Sequence, residues 1–442
     1  MSRSGLRTAV DSILRADGLT PRRFMALACV SAAATAVVVA DATGPRTSLP
    51  QIVAAAEAAR TPVVRKLAPP RASAVAAVHT PVVAGDHSSG TTTPAAAQPV
   101  ASTPAPVSAP APARTNKTTH KQQPAKTTPA KPSSPIKHVF VIALAGTDGA
   151  ALWGTGSPAP YLATTLRPQG TLLTGYQPLD GGDLASLVAV TSGQAPTPET
   201  AQNCPTYQRF VASGKPDASG GLVGNGCIYP DNMLTLADQL TIARQSWRAY
   251  SEDMSNDAQK TAACRRPAQD AADDTQTGRA GDEYAADHNP FVYYGSLVDL
   301  GDCLSNDVPL TQLTTDLAGA KTTPSFVYVA PNLCHGGWEA TCADGSPGAI
   351  GAADAFAKQW AQAILDSPAY REGGLLIVLF GTVPAGTQAP GALLVSRYVK
   401  PGATDAKPFG PYALLRGVED IFGLTHLAHA GDSGLPDLPL TG

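Results

Sequence analysis

HVFVIAL, residues His138–Leu144, is the stretch that decides the fold, because it is apolar over its whole length apart from the first side chain. An apolar run this short, without alternating polar residues, is typical of a strand that is buried on both faces of a sheet. Phe326–Ala330 (FVYVA), Leu375–Phe380 (LLIVLF) and Ala392–Val395 (ALLV) repeat the pattern. The sequence therefore predicts at least four buried strands.

Helical stretches lie between and after these strands. They are predicted over Asn232–Gln245, which places Leu236 and Leu240 on one face, and over Gly351–Leu365 and Tyr412–Phe422. Buried strands that alternate with amphipathic helices predict an α/β fold, here a three-layer sandwich around a mostly parallel central sheet. In such sheets ligands bind beyond the carboxyl ends of the strands. We therefore look for the chemistry in the residues that follow each strand.

Charge divides the 442-residue chain into two unlike parts. Residues 1–135 carry 15 Lys and Arg against 5 Asp and Glu, whereas residues 136–442 carry 17 against 30. The first part is thus basic, with a net charge of +10, and the second is acidic, with a net charge of −13. An acidic domain without a basic stripe does not suit phosphate backbones, which argues against nucleic-acid binding.

An export signal is predicted near the N-terminus. The 17 residues Phe24–Ala40 carry no charge and follow Arg22 and Arg23, an order that keeps residues 1–23 in the cytoplasm. Seventeen residues is short for a membrane span, and small residues at its end resemble a cleavage site. Residues 24–42 are therefore either a signal anchor or a signal peptide. The protein is expected to be extracytoplasmic, either anchored in the cell membrane through residues 24–40 or secreted.

A long linker is predicted to follow. Residues 43–135 consist mostly of Ala, Pro, Thr, Ser and Val, a composition that favours a disordered, partly polyproline chain. Basic residues are scattered along its distal half, where no acidic residue occurs. The linker is either a simple spacer or a segment attracted to anionic cell-wall polymers. The folded domain is placed at residues 136–430, and residues 431–442 form a C-terminal tail.

The cysteines also indicate export. Six of the seven lie in the acidic part, and an even number there suits three disulfides in an oxidising compartment. Pairing between sequence neighbours is the arrangement we predict, although six cysteines allow 15 pairings. No C-x₂-C spacing supports a metal site among them. The predicted pairs are Cys204–Cys227, Cys264–Cys303 and Cys334–Cys342.

Ordered segments along residues 137–424 carry a family resemblance. KHVFVIAL, GNGCIYP, SWRAYSEDM, HNPFVYY, PSFVYVAPNLC, SPAYREGGLLIVLF and YALLRGVEDIFGL occur in this order. The chain resembles the bacterial phosphoesterase family that includes acid phosphatases and phospholipase C-type enzymes. The resemblance implies an alkaline-phosphatase-like fold and, for active members, hydrolysis of phosphoric esters with a divalent metal.

The same resemblance predicts a degenerate catalytic centre. Family members have Glu-Asn after the first strand, a nucleophilic serine, Asp-Glu after the third strand and a late histidine. Phosphoester hydrolysis by this route needs a metal held by such ligands, so we expect neither a bound metal nor another cofactor. The residues that occupy these positions here are Ala145 and Gly146, Asp183, Gly381 and Thr382, and Pro411.

Six residues that stay close to the family pattern define a candidate residual pocket. In the family, the histidine that corresponds to His288 is associated with the phosphate pocket, so an anion could still bind there. The alternative is structural: Arg248 would pair with Glu252 or Asp253, and His288 would bond to the backbone. Asn332, Asp344 and Asp354 are expected to cap helices or fix loops. The six pocket candidates are Arg248, Glu252, Asp253, His288, Asn289 and Asn332.

Three functions follow from these observations. The first is a binding or scaffold module at the cell envelope that has lost hydrolytic activity. This hypothesis favours a protein that is not an enzyme, and it does not identify a small-molecule ligand. The second is an active phosphoesterase with relocated metal ligands, in which Asp183 is the nucleophile and Asp148 a ligand. The third is a surface structural protein that acts through its linker.

Overall fold

The computed structural model describes residues 134–337 and 339–441. The predicted membrane segment at 24–40 and the linker up to residue 133 lie outside the described residues. No helix in the described ranges is both long and apolar enough to cross a membrane.

The strands and helices of the described part follow the chain from His138 onward. The strands are β1 His138–Leu144, β2 Gly170–Leu173, β3 Val211–Ala212, β4 Gly224–Asn225, β5 Trp247–Ser251, β6 Asp307–Pro309, β7 Phe326–Ala330, β8 Gly374–Phe380, β9 Ala392–Val395 and β10 Ala403–Asp405. The α-helices are α1 Gly149–Trp153, α2 Asp183–Ser192, α3 Leu236–Ile242, α4 Gly295–Val298, α5 Asp302–Asn306, α6 Leu313–Asp316, α7 Leu333–Gly336, α8 Ala349–Leu365, α9 Pro368–Gly373 and α10 Pro411–Phe422. A π-helical turn spans Tyr161–Leu166.

The central sheet has eight strands in the order β10-β2-β9-β8-β1-β7-β5-β6. Strand β1 is parallel to both of its neighbours, with Val139 opposite Phe326 of β7 and Leu375 of β8. Strand β9 runs antiparallel to β8 and to β2, so it is the strand that reverses the direction. The predicted mostly parallel α/β sheet is therefore confirmed, with a reversal that the sequence did not indicate.

Two hydrophobic cores lie on the two faces of this sheet. Val139 and Val141 of β1 point into a core that includes residues of α2, α3 and α10. Phe140 and Ile142 point into the other core, which includes residues of α8 and of the π-helical turn. Because successive side chains of a strand alternate between faces, β1 is apolar throughout and is buried on both sides. This arrangement is the predicted three-layer sandwich.

The helix predicted over Asn232–Gln245 is shorter in the structure. Helix α3 begins after Thr235, whose hydroxyl accepts a hydrogen bond from the amide of Asp238 while the Asp238 carboxylate accepts one from the Thr235 amide. This capping box sets the start of the helix. After α3, Arg244 adopts a left-handed conformation with φ 58°, which ends the helical path before Gln245.

The three predicted disulfides are confirmed. Cys204 is bonded to Cys227, Cys264 to Cys303 and Cys334 to Cys342. The pairs span 23, 39 and 8 residues of sequence, so each ties together nearby segments. Three disulfides are typical of proteins in an oxidising environment, which supports an extracytoplasmic location.

Removing the Cys264–Cys303 disulfide should destabilise the domain more than removing the Cys334–Cys342 disulfide. The first closes a loop of 39 residues and the second a loop of 8, and the entropy that a cross-link removes from the unfolded chain grows with loop length. We expect the Cys264→Ser/Cys303→Ser variant to lose about 2–4 kcal/mol of unfolding free energy, measured by urea denaturation. An equal or larger loss in Cys334→Ser/Cys342→Ser would contradict this order.

Candidate functional site

The candidate site is a crevice at the carboxyl ends of β8, β1, β7 and β5, four adjacent strands at the centre of the sheet. We define the crevice by the residues that follow these strands, 145–148, 381–382, 331–332 and 252–253, together with Asp183 at the start of α2. This is the edge at which ligands bind in parallel sheets.

Two glycines, which follow β1 and β8, lie where the crevice has no room for a side chain. A Cβ atom on Gly146 would lie 2.6 Å from the carbonyl carbon of Thr382, and a Cβ atom on Gly381 would lie 2.8 Å from the Cβ of Asp183. Both distances are shorter than real Cβ contacts. The space that side chains at 146 and 381 would need is thus occupied by the chain itself.

Asp183 lies inside the protein rather than on its surface. It is the first residue of α2 and is 2 % exposed, and its Oδ1 atom has no hydrogen-bond partner among the described residues. Burial raises the pKa of this carboxyl group to about 7; His288 opposes the shift and Asp287 adds to it. An attacking nucleophile must contact its substrate, and a carboxylate this deeply buried cannot do so without an opening of the structure.

His288 lies beside Asp183 and bonds to the backbone, as the structural alternative predicts. Its Nδ1 is 3.2 Å from the carbonyl oxygen of Pro331, and its Nε2 is 3.9 Å from Oδ2 of Asp183. A carbonyl oxygen only accepts, so Nδ1 carries the proton of this bond. Asp287, the preceding residue, is also buried, and burial raises its pKa. His288 therefore lies in a buried cluster with Asp183 and Asp287 and does not line an open phosphate pocket.

Asn289 is part of the protein interior as well. Its side-chain amide nitrogen, Nδ2, donates to Oδ2 of Asp307 at 2.8 Å and to the hydroxyl of Tyr284 at 3.1 Å. Burial raises the pKa of Asp307 to about 7, and the Asn289 and Ser251 hydrogen bonds partly oppose this shift. Asn289 thus connects the segment before β6 to the start of that strand.

Glu252, Asp253 and Asn332 do come together, at the ends of β5 and β7. The side-chain nitrogen of Asn332 donates to Oδ2 of Asp253 at 2.8 Å, and its backbone amide donates to Oε2 of Glu252 at 3.1 Å. The other oxygen of Glu252, Oε1, is 2.9 Å from Nδ1 of His335. Asn332 also caps α7 by accepting from the His335 amide at 2.8 Å. Most of these bonds fix the loops after the strands.

His335 is not among the six pocket candidates predicted from the sequence. With Glu252, it lines a cavity of about 460 Å³ over the Cys334–Cys342 disulfide. The hydrogen bond to Glu252 raises the pKa of His335, and burial opposes the rise. Its imidazole stacks on Phe356, with ring centroids 6.1 Å apart. The pair of His335 and Glu252 can hold and exchange a proton at this cavity. The position of His335, three residues after Asn332 and close to the end of β7, is the sequence signal that could have indicated this histidine.

Arg248 does not join the other pocket candidates. Its guanidinium pairs with Asp316 of α6 at 2.7 Å, and the hydroxyl of Tyr250 donates to the same carboxylate at 2.6 Å. The predicted pairing of Arg248 with Glu252 or Asp253 is therefore wrong. In strand β5, Arg248 and Tyr250 point to the same face because they are two residues apart, whereas Glu252 lies beyond the strand end.

The remaining predicted positions make structural contacts. Thr382 donates to the carbonyl oxygen of Gly181 at 3.0 Å. Pro411 is the first residue of α10, a position at which proline is favoured. Asp148, the candidate relocated ligand, caps α1 by accepting from the amide of Ala150 at 3.0 Å.

Asp344 and Asp354 fix loops, as predicted. Oδ1 of Asp344 accepts from the amide of Ser346 at 2.8 Å. The carboxylate of Asp354 accepts from the amides of Tyr161 and Leu162 at 3.0 and 2.8 Å, and so holds the start of the π-helical turn.

The residues of the crevice do not fit a divalent metal. Ala145, Gly146 and Gly381 offer no side-chain ligand atom. A longer side chain at 146 would meet the backbone of Thr382, and one at 381 would meet the side chain of Asp183. Among residues 134–337 and 339–441, the group of three possible ligands that lies close enough together is Cys264, Cys303 and Asp307. Its two sulfurs are bonded to each other, so they are not available as thiolate ligands.

Comparisons with known proteins give distant structural similarities. No family model and no curated protein matches the sequence. A protein of the alkaline phosphatase superfamily from Vibrio parahaemolyticus is similar at 14% identity over 69% of this chain and 72% of its own, with a TM-score of 0.39. A 2-O GAG sulfatase gives 10% identity over 69% and 75%, with a TM-score of 0.40. The phosphonate monoester hydrolase of Silicibacter pomeroyi gives 12% over 66% and 74%, with a TM-score of 0.33.

Proposed function

We propose that this protein is an exported, catalytically degenerate member of the bacterial phosphoesterase family that acts as a binding or scaffold module at the cell envelope. The observation that carries the proposal is the close contact of Gly146 with Thr382 and of Gly381 with Asp183. Metal-dependent hydrolysis needs ligand side chains at the strand ends. Here the backbone of Thr382 and the side chain of Asp183 occupy their place. Loss of a nucleophile alone can reduce turnover about 10⁶-fold.

The proposed location rests on the disulfides and on the sequence of the N-terminal part. Three disulfides support an oxidising compartment. The uncharged segment 24–40 would tether the protein to the membrane if it is not cleaved, and the basic linker would then extend the domain away from the surface. Attraction of this linker to anionic cell-wall polymers belongs to the same proposal.

The purified full chain should show no hydrolysis of para-nitrophenyl phosphate or of a phospholipid above the buffer background. The assay is run with Mg²⁺, Mn²⁺, Ca²⁺ or Zn²⁺ added in turn, and elemental analysis after dialysis should find no stoichiometric metal. The reason is that the crevice lacks ligand side chains at 145, 146 and 381.

Two experiments separate the alternatives: the phosphatase assay on a variant, and a deletion tested in cells. Turnover that disappears in Asp183→Ala would support an active phosphoesterase with relocated ligands and would contradict the proposal. If the protein is instead a surface structural protein, deleting residues 43–135 should remove its cellular phenotype, whereas deleting the domain should not.

A further inference from the structure

The described part of the protein contains a second cavity, of about 840 Å³, that none of the crevice residues lines. It lies against residues 257–269 of the long segment between β5 and β6, and against Tyr207 and Arg209. Its volume is in the range of sites for small ligands. Because the proposed function gives the protein a binding role without a site, this cavity is the place to look for one.

Arginine side chains are concentrated at the wall of this cavity. Residues 136–442 contain 17 Lys and Arg and have a net negative charge, yet four arginines line this single cavity. Three aspartates line it too, and a fourth aspartate, Asp282, pairs with one of the arginines, so the arginines and aspartates are equal in number. The four arginines are Arg209, Arg265, Arg266 and Arg279.

Three of the four guanidinium groups are neutralised by carboxylates. Each pair has a short N–O distance, and two of the pairs make two parallel hydrogen bonds, the geometry that holds a guanidinium firmly. The pairs are Arg209 with Asp299 at 2.7 and 3.0 Å, Arg265 with Asp282 at 2.7 and 2.8 Å, and Arg279 with Asp274 at 2.5 Å.

Arg266 differs from the other three. Its protein contacts both use Nη1, which donates to the carbonyl oxygen of Cys264 at 3.1 Å and lies 3.3 Å from the Cys264 sulfur. Neither contact involves a carboxylate, and Nε and Nη2 have no partner among the described residues. One edge of the guanidinium is therefore held in place, and donors on another edge are free.

The third aspartate of the wall does not neutralise Arg266. The carboxylate of Asp257 accepts from the amide of Thr261 at 2.7 Å and from its hydroxyl at 2.6 Å. Burial raises the pKa of Asp257, but these hydrogen bonds and the charges of Arg265 and Lys260 outweigh it, so the pKa is lowered. Asp257 is thus engaged within its own loop.

We propose that this cavity binds a sugar-sized anionic ligand, with a phosphate or carboxylate group bound to the free edge of Arg266. A guanidinium presents parallel N–H donors that match two oxygens of such a group. The cavity is much larger than a single phosphate, and its wall carries the amide side chain of Gln259, which suits a hydroxyl group of a sugar. The inference deepens the proposed binding function, on which it rests.

The test is isothermal titration calorimetry on the full chain purified in mild detergent, with glucose 6-phosphate, glucuronate and glucose as probes. We expect one or both anionic probes to bind, with affinity that falls as salt is added, and glucose to bind much more weakly. Arg266→Gln should weaken binding about tenfold or more, because it removes a charge-assisted contact. Arg244→Gln, at an exposed arginine outside the cavity, should bind like the wild type.

The two anionic probes also identify the group that is recognised. Binding of glucose 6-phosphate alone indicates a phosphate site, and binding of glucuronate alone indicates a carboxylate site. Absence of binding by both probes, equal binding of glucose, or unchanged affinity in an Arg266→Gln variant of unaltered melting temperature would overturn the inference. Turnover of para-nitrophenyl phosphate in the same preparation would contradict the proposed function but not this site, so the two failures are distinguishable.

Discussion

Gly146→Ala should lower the free energy of unfolding by about 3 kcal/mol, although it adds a single methyl group. The new Cβ would lie 2.6 Å from the carbonyl carbon of Thr382 and would overlap its carbonyl oxygen, and backbone atoms cannot turn away as a side chain can. Forcing extra volume into a packed interior typically costs about 1–3 kcal/mol and occasionally more. Urea denaturation followed by circular dichroism measures the loss.

The matched control is Gly351→Ala in α8. Nothing lies within 4 Å of the Cβ that this substitution adds, and alanine is favoured over glycine inside a helix. We expect this variant to be as stable as the wild type or up to about 1 kcal/mol more stable. If Gly146→Ala unfolds like this control, the crevice is open and the argument for a closed catalytic centre fails.

The same contact bears on any attempt to build a metal site in the crevice. Replacing 145, 146, 381 and 382 together by the family residues Glu, Asn, Asp and Glu should yield a destabilised protein without phosphatase activity, because the side chains have no room to converge. If such a variant gained phosphatase activity, the backbone around position 146 would have to be able to move apart and make room for the new side chains.

The domain should lose stability as the pH rises from 5 to 8. Burial raises the pKa of Asp183 and Asp307 to about 7 and that of Glu419 to about 8. In the unfolded chain these groups titrate near pH 4, so between pH 4 and 8 the folded state binds more protons. Their stabilising effect is complete below about pH 4 and is lost as the pH rises through 7 to 8. We expect the free energy of unfolding to fall by about 2 kcal/mol or more over this range.

Asp183→Asn tests the contribution of one of these three carboxyl groups to the pH dependence. The amide cannot ionise and is close in size to the carboxyl group that it replaces. The variant should therefore lose less stability between pH 5 and 8 than the wild type does. Asp180→Asn, at an exposed aspartate nearby, should leave the pH profile unchanged. A profile that is the same for Asp183→Asn and wild type would exclude the buried carboxyl as its source.

Much of the sheet could be predicted from the sequence. Strands β1, β7 and β9 have the predicted bounds, because uninterrupted apolar runs are a strong signal of buried strands. The antiparallel direction of β9 could not be predicted, since periodicity is the same for both directions. Helix α2 was not predicted as a helix, because all ten of its residues are buried and it has no polar face.

The candidate site was less predictable than the fold. The residue types at 145, 146 and 381 are visible in the sequence, but the contact of Gly381 with Asp183 joins positions that are far apart along the chain. The pairing of Arg248 with Asp316 was missed for the same reason. The cavity of Arg266 could not be predicted either, because the pairing of Arg209 with Asp299 and of Arg265 with Asp282 joins residues that are not neighbours in the sequence. The disulfides could be predicted because each joins neighbouring cysteines.

The central sheet ends at both edges in very short strands. Edge strands β10 and β6 have three residues each, and β6 ends in Pro309, which has no amide hydrogen to donate. An incoming strand from a second molecule would thus find few backbone groups to pair with. Aggregation by strand addition is therefore disfavoured at either edge, and self-association of the folded domain would have to use side-chain surfaces instead.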